Sequence, residues 1–163
     1  MGRDKALVEV DGEAMGARCV RALLDAGCER VLVVGGGAAH RRLGGTLVPD
    51  AVRGGGPAAA VATAVSAADG PVLVLPTDLP RVTAASLEPL IRVAEVDPGA
   101  DAVLAVVGGR RASPIGVWRP HPVLDDPASL AGASMATLTR ELRCVEVQCD
   151  DTLADADRPA DLA

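Results

Sequence analysis

Residues 72–80 read VLVLPTDLP. Four apolar residues in succession, free of charge, describe a strand buried on both faces, as in a parallel sheet covered by helices. The run opens directly onto Thr77-Asp78. Pro76 and Pro80 hold that pair in an extended turn, because proline fixes its own φ and steers the residue before it away from helix. Asp78 therefore stands at the carboxyl end of a strand. In open parallel α/β sheets ligands bind there, and one carboxylate on a rigid strand end is how a hard cation such as Mg²⁺ is held beside substrate phosphates. The same carboxylate also suits a structural duty, capping the next helix or closing the turn, and the residues alone leave both readings open.

The core that this strand enters has to be aliphatic. Phe and Tyr are absent and Trp118 is the only aromatic residue, yet 49% of the chain is hydrophobic. Val, Leu, Ala and Ile must fill the interior, which suits parallel strands under Ala-rich helices. The usual platforms for stacking nucleic-acid bases are missing. With 16 Lys and Arg against 22 Asp and Glu, the net charge of −6 repels large polyanions, while a small nucleotide held through a metal ion remains compatible. No nucleic-acid partner is expected. Cys19, Cys28, Cys144 and Cys149 form no CxxC pair, and only His40 and His121 are available to supplement them, so no zinc site is expected. The thiols read as small buried hydrophobes. Absence of a signal peptide and of any apolar run long enough to span a bilayer predicts a cytoplasmic protein with no membrane partner. A length of 163 residues predicts one domain over residues 1–163.

In chain order, residues 6–10 alternate and end at Asp11-Gly12, a tight-turn signal. Residues 13–26 carry apolar side chains at helical spacing, with Gly27 placed to end the helix. Residues 30–34 form a buried strand that stops at Gly35-Gly36-Gly37. Residues 38–43 suggest a short basic helical turn, and residues 46–49 a short strand that delivers Asp50 at its end. A helix over residues 58–68, the strand at 72–75, a helix over 83–96 capped by Thr83, and a hairpin of residues 101–107 and 114–118 around a turn at 108–111 follow. A helix over 134–142 and an edge strand at 144–147 complete the pattern. Strand–helix–strand alternation of this kind is the βαβ rhythm.

Two loops invite a chemical reading. Gly54, Gly55, Gly56 and Pro57 precede the helix at 58–68, where glycines let backbone amides approach a phosphate and the helix dipole adds attraction. A flexible connection is the alternative, and the spacing fits neither the P-loop nor the dinucleotide fingerprint. In the acidic tail, Asp155 and Asp157 precede Pro159. They either serve a helix N-terminus or supply the second acid that Asp78 needs for a metal.

Four segments, taken together, resemble the MobA-like nucleotidyltransferases, molybdenum cofactor guanylyltransferase and its relatives. MGRDKALVEVDGEAM resembles the second half of their nucleotide-binding signature, and VPDAVRGGGPAAA their Asp-x-x-x-Gly-x-Gly-Pro segment. PTDLP resembles their Asp-x-Pro metal motif, and DADRPADLA their closing segment. The resemblance implies a three-layer, Rossmann-like α/β fold, a mostly parallel sheet with helices on both faces and its N-terminal strand missing. It implies catalytic roles for Lys5 and Asp78. Gly2, Arg3, Lys5, Gly35, Asp50, Gly54, Gly55, Gly56 and Pro57 would bind the nucleotide, and Asp78 and Asp157 would hold Mg²⁺. The implied reaction moves a GMP or CMP unit from GTP or CTP to a molybdopterin-type acceptor and releases pyrophosphate. Another phosphorylated acceptor, or a truncated non-catalytic module that binds nucleotide or a partner, are the alternatives.

The departures are specific. The buried strand and Leu-Ala-Gly-Gly loop that open the family signature are absent, from which a start codon assigned too far downstream is expected. Gly35 replaces a polar residue near the base and leaves guanine or cytosine open. Residues 58–60 replace a Leu-Ala-Gly-like run, and Arg158 a threonine. No residue pattern specifies an oligomeric state.

Overall fold

A computed structural model describes residues 4–156. The described residues open with a single 3-10 turn, Lys5–Leu7, and a hairpin of β1 (Glu9–Val10) and β2 (Glu13–Ala14). Asp11 and Gly12 at the hairpin tip have φ of 53° and 79°, the two left-handed residues that a two-residue turn of type I′ requires. Helix α1 (Met15–Asp25) starts later than its periodicity predicts, because Glu13 and Ala14 are spent on the hairpin. It buries Met15, Cys19, Val20 and Leu23. Its end is closed by Cys28 N–H on the Leu23 carbonyl and Gly27 N–H on that of Leu24, with Gly27 at φ 94°, a Schellman motif.

Strand β3 (Leu32–Val34) pairs in parallel with β4 (Thr46–Val48), and the 3-10 helix Ala38–Leu43 lies between them in sequence. Helix α2 (Gly56–Ser66) leads to β5 (Val72–Val74). Helix α3 (Ala84–Val96) is capped by Thr83, whose hydroxyl accepts from Ser86 N–H. Strands β6 (Ala102–Val107) and β7 (Arg110–Trp118) form the predicted hairpin around Gly108-Gly109. Helix α4 (Met135–Thr139) is capped by Ser134 and ends earlier than predicted, and β8 (Cys144–Cys149) lies parallel to β6 as an edge strand.

Strand order in the larger sheet is β5-β7-β6-β8, with β7 antiparallel to both its neighbours. Alternate residues of β6 feed two apolar clusters, as the two-residue period of a strand demands. Val103 and Ala105 join residues of α1 and α3, whereas Ala102 and Leu104 join Ala58, Val61 and Ala62 of α2 with Trp118. Helices thus pack on both faces of the sheet, and the expected α/β class holds.

Burial falls short of expectation in two strands, since Leu32 and Val34 of β3 are half-buried on either side of a buried Val33. Val72, Leu73 and Val74 are half-buried rather than buried on both faces, because β5 has a strand neighbour on one side alone among the described residues. Strand β3 is likewise paired only with β4, and α2 packs on both β3 and β5.

Candidate active site

Three strands end beside a residue of chemical interest. Gly35 follows β3, Asp50 lies just beyond β4, and Asp78 follows β5. The turn carrying Asp78 is clamped from several directions. Leu79 and Val82 are buried beneath it, the Cys19 thiol of α1 donates to the Pro76 carbonyl at 3.4 Å, and Ala156 N–H donates to the Asp78 carbonyl at 3.0 Å. The carboxylate thereby stays on a fixed mount. Its side chain is 19% exposed and accepts from the Lys5 ammonium at 3.1 Å, with the Lys5 side chain 31% exposed. Helix capping, the structural alternative for Asp78, is performed by Thr83 instead.

Lys5 and Asp78, 73 residues apart in sequence, therefore meet in one partly open place. A signal for this was available and concerns usage: Lys5 is the chain's only lysine, so every other member of the 16 Lys and Arg is arginine. That one compact ammonium stands where it meets the strand-end carboxylate. Lys and Arg are not equivalent in such a place, since the ammonium is a point charge and the guanidinium a planar fork.

Gly35 and Asp50 also come together. Gly35 has φ 77°, its N–H extends the β3–β4 ladder to the Val48 carbonyl at 2.8 Å, and a Cβ placed on it would stand 2.7 Å from Asp50 Oδ1. The Asp50 carboxylate thus lies against bare backbone, which explains why no side chain occupies position 35. The glycine run before α2 is an ordered turn: Gly55 N–H donates to the Val52 carbonyl at 3.0 Å, and Gly132 N–H donates to the Gly55 carbonyl at 2.9 Å. Gly55 is buried, Gly54 and Gly56 are exposed with φ of 71° and 84°, and Pro57 occupies the first turn of α2. No side chain caps that helix, which leaves its first amides to the loop and solvent. Gly2, Arg3 and Asp157 lie outside the described residues.

Sequence reasoning passed over Asp4 and treated His40 only as a possible companion to the cysteines. His40 Nε2 stands 3.1 Å from Asp4 Oδ2, directly beside Lys5. Volume is no guide to this site. A surface groove of about 510 Å³ is lined by Leu73, Ile91, Ala94 and Val117 among others, and by none of the residues above. Among the described residues no group of three or more His, Cys, Asp or Glu side chains forms a metal cage, and no helix is long and apolar enough to cross a membrane.

The sequence model of the MobA-like NTP transferase domain matches residues 1–147. The chain belongs to the MobA-like NTP transferase domain family. It is accordingly a nucleotidyltransferase. Comparison with curated proteins returns no match. Among solved structures it is similar to molybdopterin-guanine dinucleotide biosynthesis protein A from Archaeoglobus fulgidus, with a TM-score of 0.74, 17% identity, and coverage of 99% of this chain and 88% of that one. Rv0371C from Mycobacterium tuberculosis H37Rv in complex with manganese gives 0.66 and 22%, over 91% and 83%. The 2-C-methyl-D-erythritol 4-phosphate cytidylyltransferase of Thermus thermophilus gives 0.61 and 20%, over 97% and 90%. At these identities the likeness shows the nucleotidyltransferase fold.

Proposed function

We propose that this nucleotidyltransferase moves a GMP or CMP unit from a Mg²⁺-bound nucleoside triphosphate to a molybdopterin-type acceptor, releasing pyrophosphate. The observation that carries the reading is the contact between Lys5 and Asp78 at the carboxyl end of β5. The amine and the carboxylate are of opposite charge and stand 3.1 Å apart. Asp78 would hold the cation and Lys5 would hold the phosphate oxygens of a bound triphosphate.

The donor set fits a hard divalent ion shared with substrate. Asp78 is an oxygen ligand on a rigid strand end, and the described residues build no cage of their own. Mg²⁺ is typically held in this way, by one or two carboxylates together with substrate phosphates. Asp157 is proposed as the second acid, adjacent to Ala156, whose amide binds the Asp78 turn. When bound, the ion supplies neutralisation of triphosphate charge.

Lys5 adds a positive charge for the phosphates, while Gly2, Arg3, Gly35, Asp50, Gly54, Gly55, Gly56 and Pro57 flank the nucleotide. A phosphate oxygen of the acceptor attacks the α-phosphorus, the bond to the bridging α–β oxygen breaks, and pyrophosphate departs. Positioning and charge neutralisation carry such a reaction. The acceptor is proposed from the name of the Archaeoglobus relative. A second reading, transfer to another phosphorylated acceptor, is favoured by the similarity to the Thermus cytidylyltransferase.

Pyrophosphate release from GTP and from CTP, with Mg²⁺ and molybdopterin, tests the proposal. The wild-type chain is expected to release it, and Asp78→Asn to lose about 100-fold or more with an unchanged circular-dichroism spectrum. Equal release from Asp78→Asn would remove that carboxylate from the chemistry, and no release or nucleotide binding by the wild type would leave a non-catalytic module.

A further inference from the structure

Between the glycine turn after β3 and the turn that carries Lys5 runs a chain of contacts that nucleotidyl transfer does not itself use. His40, in the 3-10 helix Ala38–Leu43, is 8% exposed. Its Nδ1 stands 3.0 Å from Gly37 N and 3.2 Å from the Gly37 carbonyl oxygen; in the tautomer that accepts the Gly37 N–H, the ring proton is on Nε2. That nitrogen stands 3.1 Å from Asp4 Oδ2. The other carboxylate oxygen, Asp4 Oδ1, accepts from Ala6 N–H at 3.2 Å and caps the turn whose first residue is Lys5.

The surrounding backbone is shaped for this arrangement. Gly36 has φ 73°, and a Cβ there would collide with the imidazole, standing 2.6 Å from its Cε1. The ring can lie where it does only against glycine. On the far side, a Cβ on Gly16 of α1 would stand 2.8 Å from Leu43 Cδ1 and 3.0 Å from the Ala6 carbonyl oxygen. Helix α1 is therefore pressed against both the helix of His40 and the turn of Lys5.

A buried histidine satisfied at both nitrogens ordinarily serves packing alone. The buried ring needs Asp4 as its acceptor, but Asp4 does not need the ring. The Asp4 side chain is 48% exposed, so water could satisfy it, and the imidazole is not needed to offset a desolvation cost. What the ring adds is direction, holding one oxygen so that the other stays on the cap.

We propose that His40 is a positioning residue for Lys5. Acting through Asp4, it ties the amine to the turn of Gly35, Gly36 and Gly37, so that the loop after β3 and the charge that meets the phosphates are set as one unit. The proposal rests on the nucleotidyl-transfer reading above for its consequence in turnover, and on geometry alone for the tie itself.

Because Lys5 is the only lysine, an amine-selective acylating reagent followed by mass spectrometry reads its accessibility directly, with the α-amino group as internal reference. In the full chain, His40→Ala and Asp4→Ala are each expected to raise the Lys5 acylation rate about 3- to 10-fold, the equivalent of one lost hydrogen bond. His40→Gln, which keeps a donor near the Nε2 position, is expected to restore most of the wild-type rate. KM for the triphosphate should rise with the acylation rate across the series and recover in His40→Gln, whatever the order of melting temperatures. Asp4→Ala removes an exposed side chain and keeps the test sound should His40→Ala unfold. Unchanged Lys5 reactivity in Asp4→Ala, or a His40→Gln variant no better than His40→Ala, would overturn the proposal. A wild-type chain that turns over no triphosphate would sink the earlier reading, while the acylation rates would still decide whether the tie exists.

Discussion

Lys5 and Asp78 hold each other at 3.1 Å, and the kind of cation matters there. A guanidinium brings a planar fork where a compact point charge now sits. Lys5→Arg is therefore expected to lose about 10- to 100-fold in kcat/KM for the triphosphate, despite the retained charge, as read by pyrophosphate release. Wild-type kinetics in this variant would show that charge alone suffices. Gly35 makes a different demand, since its φ of 77° and the Asp50 carboxylate 2.7 Å from any added Cβ leave no space for a methyl group. Gly35→Ala should cost about 1–3 kcal/mol and displace Asp50, visible as a lower urea midpoint and weaker nucleotide binding. Asp50 and Asp78 are legible in the sequence because each follows a short apolar run at a place where a strand must end. The tie from Asp4 to His40 is not legible. It joins side chains whose spacing obeys no helical or strand period, and only the fold brings them together.

Elements with a local cause are read from sequence most faithfully. The Asp11-Gly12 turn, the Gly27 helix end and the Thr83 cap are each specified by residues that favour those backbone shapes, and all three occur as expected. Strand β5 shows where such reading stops. An apolar run implies burial only if neighbours exist to bury it, and β5 pairs on one side alone among the described residues. The β6–β7 pairing depends on a similar fit that only the structure displays. A Cβ on Gly116 would collide with the Val103 carbonyl oxygen and stand 3.0 Å from Leu104 Cδ2. Gly116→Ala is thus expected to destabilise the fold by about 1–3 kcal/mol. Trp118, fully buried two residues further on, gives a fluorescence signal for the urea titration that measures it.

Across the whole molecule the thiols share one tendency. Burial pushes the Cys19 thiol up to about 11, with the Asp78 charge adding to the rise and a backbone hydrogen bond at Leu79 opposing it. Burial also raises Cys28, Cys144 and Cys149. An unfolded thiol ionises near its ordinary value of 9.0 while folded Cys19 stays neutral to about 11, so the folded chain binds more protons in that window. Stability is therefore full below about pH 9 and falls as pH climbs towards 11, by roughly 2–3 kcal/mol from Cys19. Urea midpoints at pH 7 and pH 10.5 should differ in that direction, and Cys19→Ala should narrow the gap; equal midpoints would contradict the burial account. The overall α/β plan was readable because strand and helix periods alternate along the chain, whereas the partition of the strands into separate ladders depends on pairings that no local pattern encodes. Strand β3 and strand β5 share no ladder among the described residues, yet both rest on α2. The plate bearing Gly35 and Asp50 and the plate bearing Asp78 are thus hung from a common beam without rungs between them. Their separation is set by side-chain packing on α2, not by backbone hydrogen bonds.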